Sequence, residues 1–175
     1  MTIATYTITE ARSKYLHFSP AYYTDGVRVL VQTSTQFQSL ADLKGMTVGT
    51  VVGSSCADVL VAQMEQDGIL PVSDFSSFDA SSYTGGLHFY VGNDYAELIR
   101  LLETGEIDAV CGNNSHLYTY VTSDRRFLSG MINEEDYGVA LLPDSPLADQ
   151  VDALITAWLA DGTIQALQDK WMLND

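Results

Sequence analysis

Positive charge is what this chain lacks most. Eight Lys and Arg stand against 23 Asp and Glu, a net charge of −15 over 175 residues. Such a field repels phosphate backbones and anionic lipid surfaces, which disfavours nucleic-acid binding from the outset. No apolar run approaches the length needed to cross a bilayer, so membrane insertion is not expected. The opening MTIATYTITE has neither a basic n-region nor an apolar h-region, so no signal peptide is expected in it. That leaves a cytoplasmic protein, or a chain whose export signal lies outside this sequence. Cysteine occurs twice, at Cys56 and Cys111, with no metal-ligand spacing. Two buried thiols are favoured over a bridge.

Catalytic patterns are equally scarce. His17, His88 and His116 lie in no nucleophile motif and pair with no Cys or His at a metal spacing. No Gly-x-Ser-x-Gly elbow occurs. Glu65, Glu97, Glu103 and Asp152 read as solvated helix faces. Internal repeats and low-complexity stretches are absent. The expectation is a protein without enzymatic activity, metal or organic cofactor.

What is present is a core-forming composition, 46% apolar and 18% charged, long enough for one large or two small domains. Strand and helix patterns alternate along it. Strands are expected at 2–9, 26–33, 46–51, 87–91, 107–112 and 137–142. Helices are expected at 39–45, 56–68, 93–105 and 113–121. Ser39 reads as an N-cap, and Gly45, Gly68 and Gly105 as helix stops. Another helix opens at Ser145-Pro146 with a buried stripe of Leu147, Val151, Leu154, Ile155 and Trp158, and a last one covers 163–172. Residues 71–86, rich in Ser, Asp and Gly, read as a surface loop. Alternating strands and helices predict an α/β fold with a mostly parallel sheet, whose ligands gather at the carboxyl ends of the strands.

Three segments carry candidate binding residues. In TVGTVVGSSCADVL (47–60), a strand, a Gly, two hydroxyl residues and a helix offer donors at a positive helix end, suited to a carboxylate or phosphate. No Lys follows the Gly, so this is not a P-loop. The plainer role for Ser54 or Ser55 is a helix cap. In TYTITEARS (5–13), Arg12 is a rare cation whose fork suits a carboxylate alongside the Thr7 hydroxyl. The plainer role is a surface Arg near Glu10. In IDAVCGNN (107–114), a buried strand ends at Asn113 and Asn114, which either contact a ligand or serve the turn.

Taken together, these segments resemble the extracellular solute-binding proteins of family 3, the polar amino-acid-binding proteins of ABC importers. TYTITEARSKYLHFSPAYYTDGVRVLV is similar to that family's T-x-T-x-x-R strand, aromatic turn and following strand. SLADLKGMTVGTVVGSSCADVL, LIRLLETGEIDAVCGNNSHLYTYV and YGVALLPDSPLADQVDALITAWLADGTIQALQDKWM are similar to its later motifs. The resemblance implies a type II periplasmic-binding-protein-like fold whose second lobe is a three-layer α/β domain. It implies first-lobe and hinge segments at 1–33, a second lobe at 34–135, and a return strand with first-lobe helices at 136–175.

Carried over by position, Thr7 and Arg12 match the residues that hold the ligand α-carboxylate. Ser54, Ser55 and Cys56 lie in the hydroxyl-rich turn that grips it from the other lobe. Asn113 stands where the family usually has an Asp that pairs with the α-ammonium. The resemblance further implies a polar, amino-acid-like solute, an ABC permease as partner and a periplasmic or extracytoplasmic location. A few relatives of the fold are dehydratases or carry a cell-wall lyase domain, but no acid or base for such work is identifiable here.

The family has a further stretch ahead of the T-x-T-x-x-R strand, so the chain reads as N-terminally truncated. Ile3, Tyr6, Ile8, Leu154, Trp158 and Trp171 are then expected to lie bare, and to be covered by self-association or a partner chain. Two functions follow: a solute-binding importer component, or a truncated relative acting as a dimeric interaction or regulatory module.

Overall fold

The structure, a computed structural model, describes residues 1–171 except 5, 73–77 and 129. It divides into two compact units, residues 1–25 with 134–171 and residues 26–133.

The larger unit is built on one mixed sheet. β2 (Tyr23–Gln32) is buried on both faces from Asp25 to Val31, with Val27, Val29, Leu30 and Val31 each 5% exposed or less and the charged Asp25 and Arg28 enclosed among them. β3 (Thr47–Val51) lies between β4 (His88–Gly92) and β5 (Ala109–Asn113), parallel to both. β2 then pairs antiparallel with β5 and with β6 (Arg125–Phe127).

Successive side chains of a strand point to opposite faces. Val29, Val31, Ala109 and Cys111 therefore join one core with α2 (Cys56–Gln66), while Leu30 and Val110 join another with α3 (Tyr95–Thr104). The result is three layers, as expected. α3 is specified locally at both ends. Asp94 accepts from the Glu97 N–H at 2.8 Å, and Gly105 stops the helix in the left-handed region at φ 74°.

The smaller unit contains α1 (Glu10–Ser13), β1 (His17–Phe18) paired antiparallel with β8 (Ala140–Leu141), α5 (Ala148–Ala160) and α6 (Thr163–Lys170). Among the described residues its buried apolar cluster is Val139, Leu141, Ile155 and Ile164. β7 (Ile132–Tyr137) pairs with β2, and the chain passes between the units along these two strands.

Several local expectations need correction. Residues 2–9 form isolated bridges, Thr2 to Ala140 and Thr7 to Tyr137, rather than a strand. β propensity reports fit to a pleated partner, and here the partner is met only at intervals. The 39–45 segment is a 3₁₀ turn at Leu40–Leu43, and 113–121 splits into α4 (Asn114–Leu117) and a 3₁₀ turn at Tyr118–Tyr120. Segments this short offer too few bonds to offset α-helix nucleation. The 137–142 strand is two strands interrupted at residues 138–139.

Ser145 accepts from the Leu147 N–H at 3.3 Å in a turn before α5, which starts at Ala148. Of the expected α5 stripe, Ile155 is buried and Val151 half-buried, but Leu147, Leu154 and Trp158 are exposed. Ile3 and Trp171 are exposed too, whereas Tyr6 and Ile8 are half-buried. Tyr6 stacks on Phe18 with ring centroids 5.8 Å apart, which gives it cover that periodicity could not foresee. The 71–86 stretch is no plain surface loop: Phe78 and Tyr83 pack with Phe89 against the α2-side core. Residues 73–77 of it lie outside the described residues.

Candidate functional site

In the larger unit, β3 and β5 run parallel and adjacent, so their carboxyl ends lie side by side. The chain leaves β3 through Gly53, at φ 76°, a conformation open to glycine without a Cβ penalty. Ser54 closes the turn, its N–H donating to Val51 O at 3.1 Å. α2 begins two residues later, at Cys56.

The serines do not serve as ordinary caps. Ser55, at the N-cap position, makes no side-chain capping bond and is exposed. The Ser54 hydroxyl instead shares a 3.2 Å hydrogen bond with Thr50 Oγ1. Thr50, 2% exposed, is a polar member of the site that the sequence reading missed; its place on an apolar strand was the available signal. A cavity of about 440 Å³ opens on this turn, lined by Gly53, Ser54, Ser55, Asp58, Asp79 and Ser81 among others.

Cys56 links the turn to the end of β5. Its thiol donates to Asn113 Oδ1 at 3.4 Å, and the Cys111 thiol donates to the Cys56 carbonyl at 3.2 Å. Both cysteines are buried and free, as the sequence suggested. Burial pushes the Cys111 thiol well above its ordinary range, with Cys56 and Asp58 adding to it. Asn113 is half-buried and makes no side-chain cap for α4. Asn114 is 2% exposed, its Oδ1 enclosed without a hydrogen-bond partner. Tyr95 lies on Gly112, where an added Cβ would come within 2.5 Å of its ring, and stacks on His116 at 5.4 Å.

The smaller unit positions Thr7 and Arg12 together. Thr9 caps α1 by accepting from the Arg12 N–H at 3.2 Å. The Arg12 guanidinium donates through Nη1 to Thr7 O at 2.8 Å and lies over the Tyr6 ring, 4.5 Å from its centroid. Glu10 pairs with Lys14 at 3.6 Å, not with Arg12. Among the described residues the Arg12 guanidinium thus uses one N–H of five, which leaves donors for an anion. The Thr7 hydroxyl donates to Glu135 Oε2 at 2.8 Å. Glu135 was missed, because an acidic stretch at 134–136 reads as surface. Among the described residues, no three His, Cys, Asp or Glu gather as a metal-holding group, and no helix is long and apolar enough to cross a membrane.

Residues 1–174 match the family model of bacterial extracellular solute-binding proteins, family 3. The chain is 27% identical over 177 residues to the ABC transporter glutamine-binding protein GlnH of Bacillus subtilis (strain 168), covering 99% of this chain and 58% of that protein. It is 30% identical over 140 residues to a glutamine-binding protein of Geobacillus stearothermophilus, covering 78% and 46%. The chain therefore spans about half the length of these curated relatives. In fold it is similar to substrate binding domain 2 of Lactococcus lactis GlnP in its open conformation, with a TM-score of 0.70 at 19% identity, covering 98% of this chain and 68% of that one. The fold is type II periplasmic-binding-protein-like.

Proposed function

The chain belongs to the bacterial extracellular solute-binding proteins of family 3, and from that premise we propose that it binds a small polar solute, an amino acid or close analogue, as the binding component of an ABC importer. The observation that carries this reading is the pairing of β3 and β5 ends, with α2 starting at a turn whose N-cap side chain makes no capping bond. A helix start of this kind attracts a carboxylate through its N–H groups and dipole. The smaller unit offers Thr7 and Arg12 to the carboxylate, the larger offers the Ser54-Ser55-Cys56 turn, and Asn113 answers the substituent beside the carboxylate. The role is binding rather than catalysis, the partner an ABC permease, and the location extracytoplasmic.

Titration calorimetry with a panel of L-amino acids and their α-hydroxy and α-keto analogues tests it. Saturable heat that disappears in Arg12→Ala supports the reading; no response to any member removes it.

A second reading, an interaction module that associates with a copy of itself or a partner, is favoured by exposed Leu154, Trp158, Leu159, Leu167 and Trp171 on and just after α5 and α6. Such a set is larger than scattered surface apolars need explanation for. Sedimentation at micromolar concentration decides it: a monomer that binds no apolar dye ends this second reading.

A further inference from the structure

Asn113 and Cys56 form a device that neither residue type announces alone. A side-chain amide has an acceptor end and a donor end. Here the acceptor is engaged, since Oδ1 takes the Cys56 thiol at 3.4 Å, while the NH₂ end has no hydrogen bond among the described residues. The thiol is held in turn: Cys56 is 1% exposed, and its carbonyl receives the Cys111 thiol at 3.2 Å. The amide is therefore oriented from its buried side.

We infer that Cys56 is a positioning residue that sets the solute preference of this site, turning Asn113 into a hydrogen-bond donor for a ligand oxygen. The inference rests on the solute-binding reading above and names its substrate class. That class is small carboxylates bearing an uncharged oxygen beside the carboxylate, hydroxy or keto acids, in preference to acids bearing an ammonium there. An ammonium has only donors, and would meet the like-oriented N–H dipoles of Asn113. The second lone pair of Oδ1 remains, but it carries no charge, and a charge-assisted bond is about twice as strong as a neutral one. Asp58 and Asp79 line the cavity at the α2 turn, and Asn113 is not part of that lining. Asp79 Oδ1 already accepts the Ser81 N–H at 2.9 Å.

The test is calorimetric titration of the whole chain with L-glutamate and L-glutamine against 2-hydroxyglutarate and 2-oxoglutarate. The wild type is expected to favour the oxygen-bearing acids by about tenfold or more, the size of one strong hydrogen bond. Asn113→Asp is expected to reverse the order. Cys56→Ala, which lets the amide turn over, brings the ratio toward one, and Cys56→Ser, which restores a donor, recovers it. Amino acids bound more tightly by the wild type, or a ratio that Cys56→Ala leaves unchanged, overturns the inference and leaves solute binding standing. No binding of any probe by wild type and Asn113→Asp alike overturns both.

A ligand-free readout keeps the inference falsifiable if Cys56→Ala does not fold. The Raman S–H band of Cys56, taken as the difference between wild type and Cys56→Ser, should lie below that of a free thiol. A band at the free-thiol position overturns the inference.

Discussion

The Thr7 hydroxyl donates to the Glu135 carboxylate across 2.8 Å, so an internal carboxylate already holds the donor that the family resemblance assigns to a ligand carboxylate. A solute acid that uses Thr7 must displace Glu135. Glu135→Ala is expected to tighten carboxylate binding about fivefold, the worth of one hydrogen bond no longer contested. Glu135→Gln should do so less, because its amide can still accept. Unchanged affinity in Glu135→Ala would show that Thr7 takes no part in holding the solute.

Alkali should destabilise this protein. Burial raises the Cys111 thiol well above its ordinary 9.0, and burial with the Asp25 carboxylate raises the Tyr137 phenol above its ordinary 10.0. Both folded values exceed the unfolded ones, so the fold binds these protons more tightly. Each contribution is whole below the ordinary value, 9.0 for the thiol and 10.0 for the phenol, and is lost progressively as pH climbs from there toward the raised folded value. Urea melts from pH 8 to 11 should show unfolding free energy falling by up to about 1.4 kcal/mol per pH unit for each proton involved. Cys111→Ala and Tyr137→Phe should each flatten that slope; a wild-type slope unaffected by either removes the explanation.

Thiol chemistry should separate the folded and unfolded chains. With Cys56 and Cys111 both free and buried, an aromatic disulfide reagent should find almost no reactive thiol in the native protein and two in denaturant. Helix starts often activate a thiol, but activation also requires access. Fewer than two thiols in denaturant would mean a bridge forms after all.

Asp94 caps α3 through the Glu97 N–H, and Glu97 in turn accepts from the Asn93 N–H at 2.8 Å and the Tyr90 hydroxyl at 2.8 Å. Removing the cap with Asp94→Ala should cost about 1 kcal/mol of stability. Asp94→Asn should cost much less, since it can still accept. Chemical denaturation of the two variants checks this, with the Asn113 and Cys56 region as an unaffected control in ligand titration.

Much of the larger unit was legible residue by residue. The strand expected at 26–33, the helix expected at 93–105 with its Gly105 stop, and the turn at Gly53 all appear close to where their patterns put them, because each pattern is a local consequence of burial or backbone strain. The smaller unit was read less well. Residues 2–9 have strand composition and no continuous ladder, and α5 has an apolar stripe whose outer members stay exposed. Composition reports that a face is apolar, not whether something covers it.

The candidate site divides the same way. Ser54, Ser55 and Arg12 were visible as residue types suited to a carboxylate and Asn113 as a polar residue at a strand end, while Thr50 and Glu135 were not. A hydroxyl within a strand pattern and an acid among acids give no local signal of their partners. Those partners lie four and 128 positions away, at Ser54 and Thr7.

The sequence by itself determined the class of fold and the acidic field and favoured unbridged cysteines, because these follow from charge, spacing and periodicity along the chain. Only the tertiary structure decided which way the Asn113 amide faces and what already occupies Thr7. Both depend on a single hydrogen bond between residues distant in the chain, Cys56 with Asn113 and Thr7 with Glu135, and such bonds are set by packing rather than by neighbours in sequence.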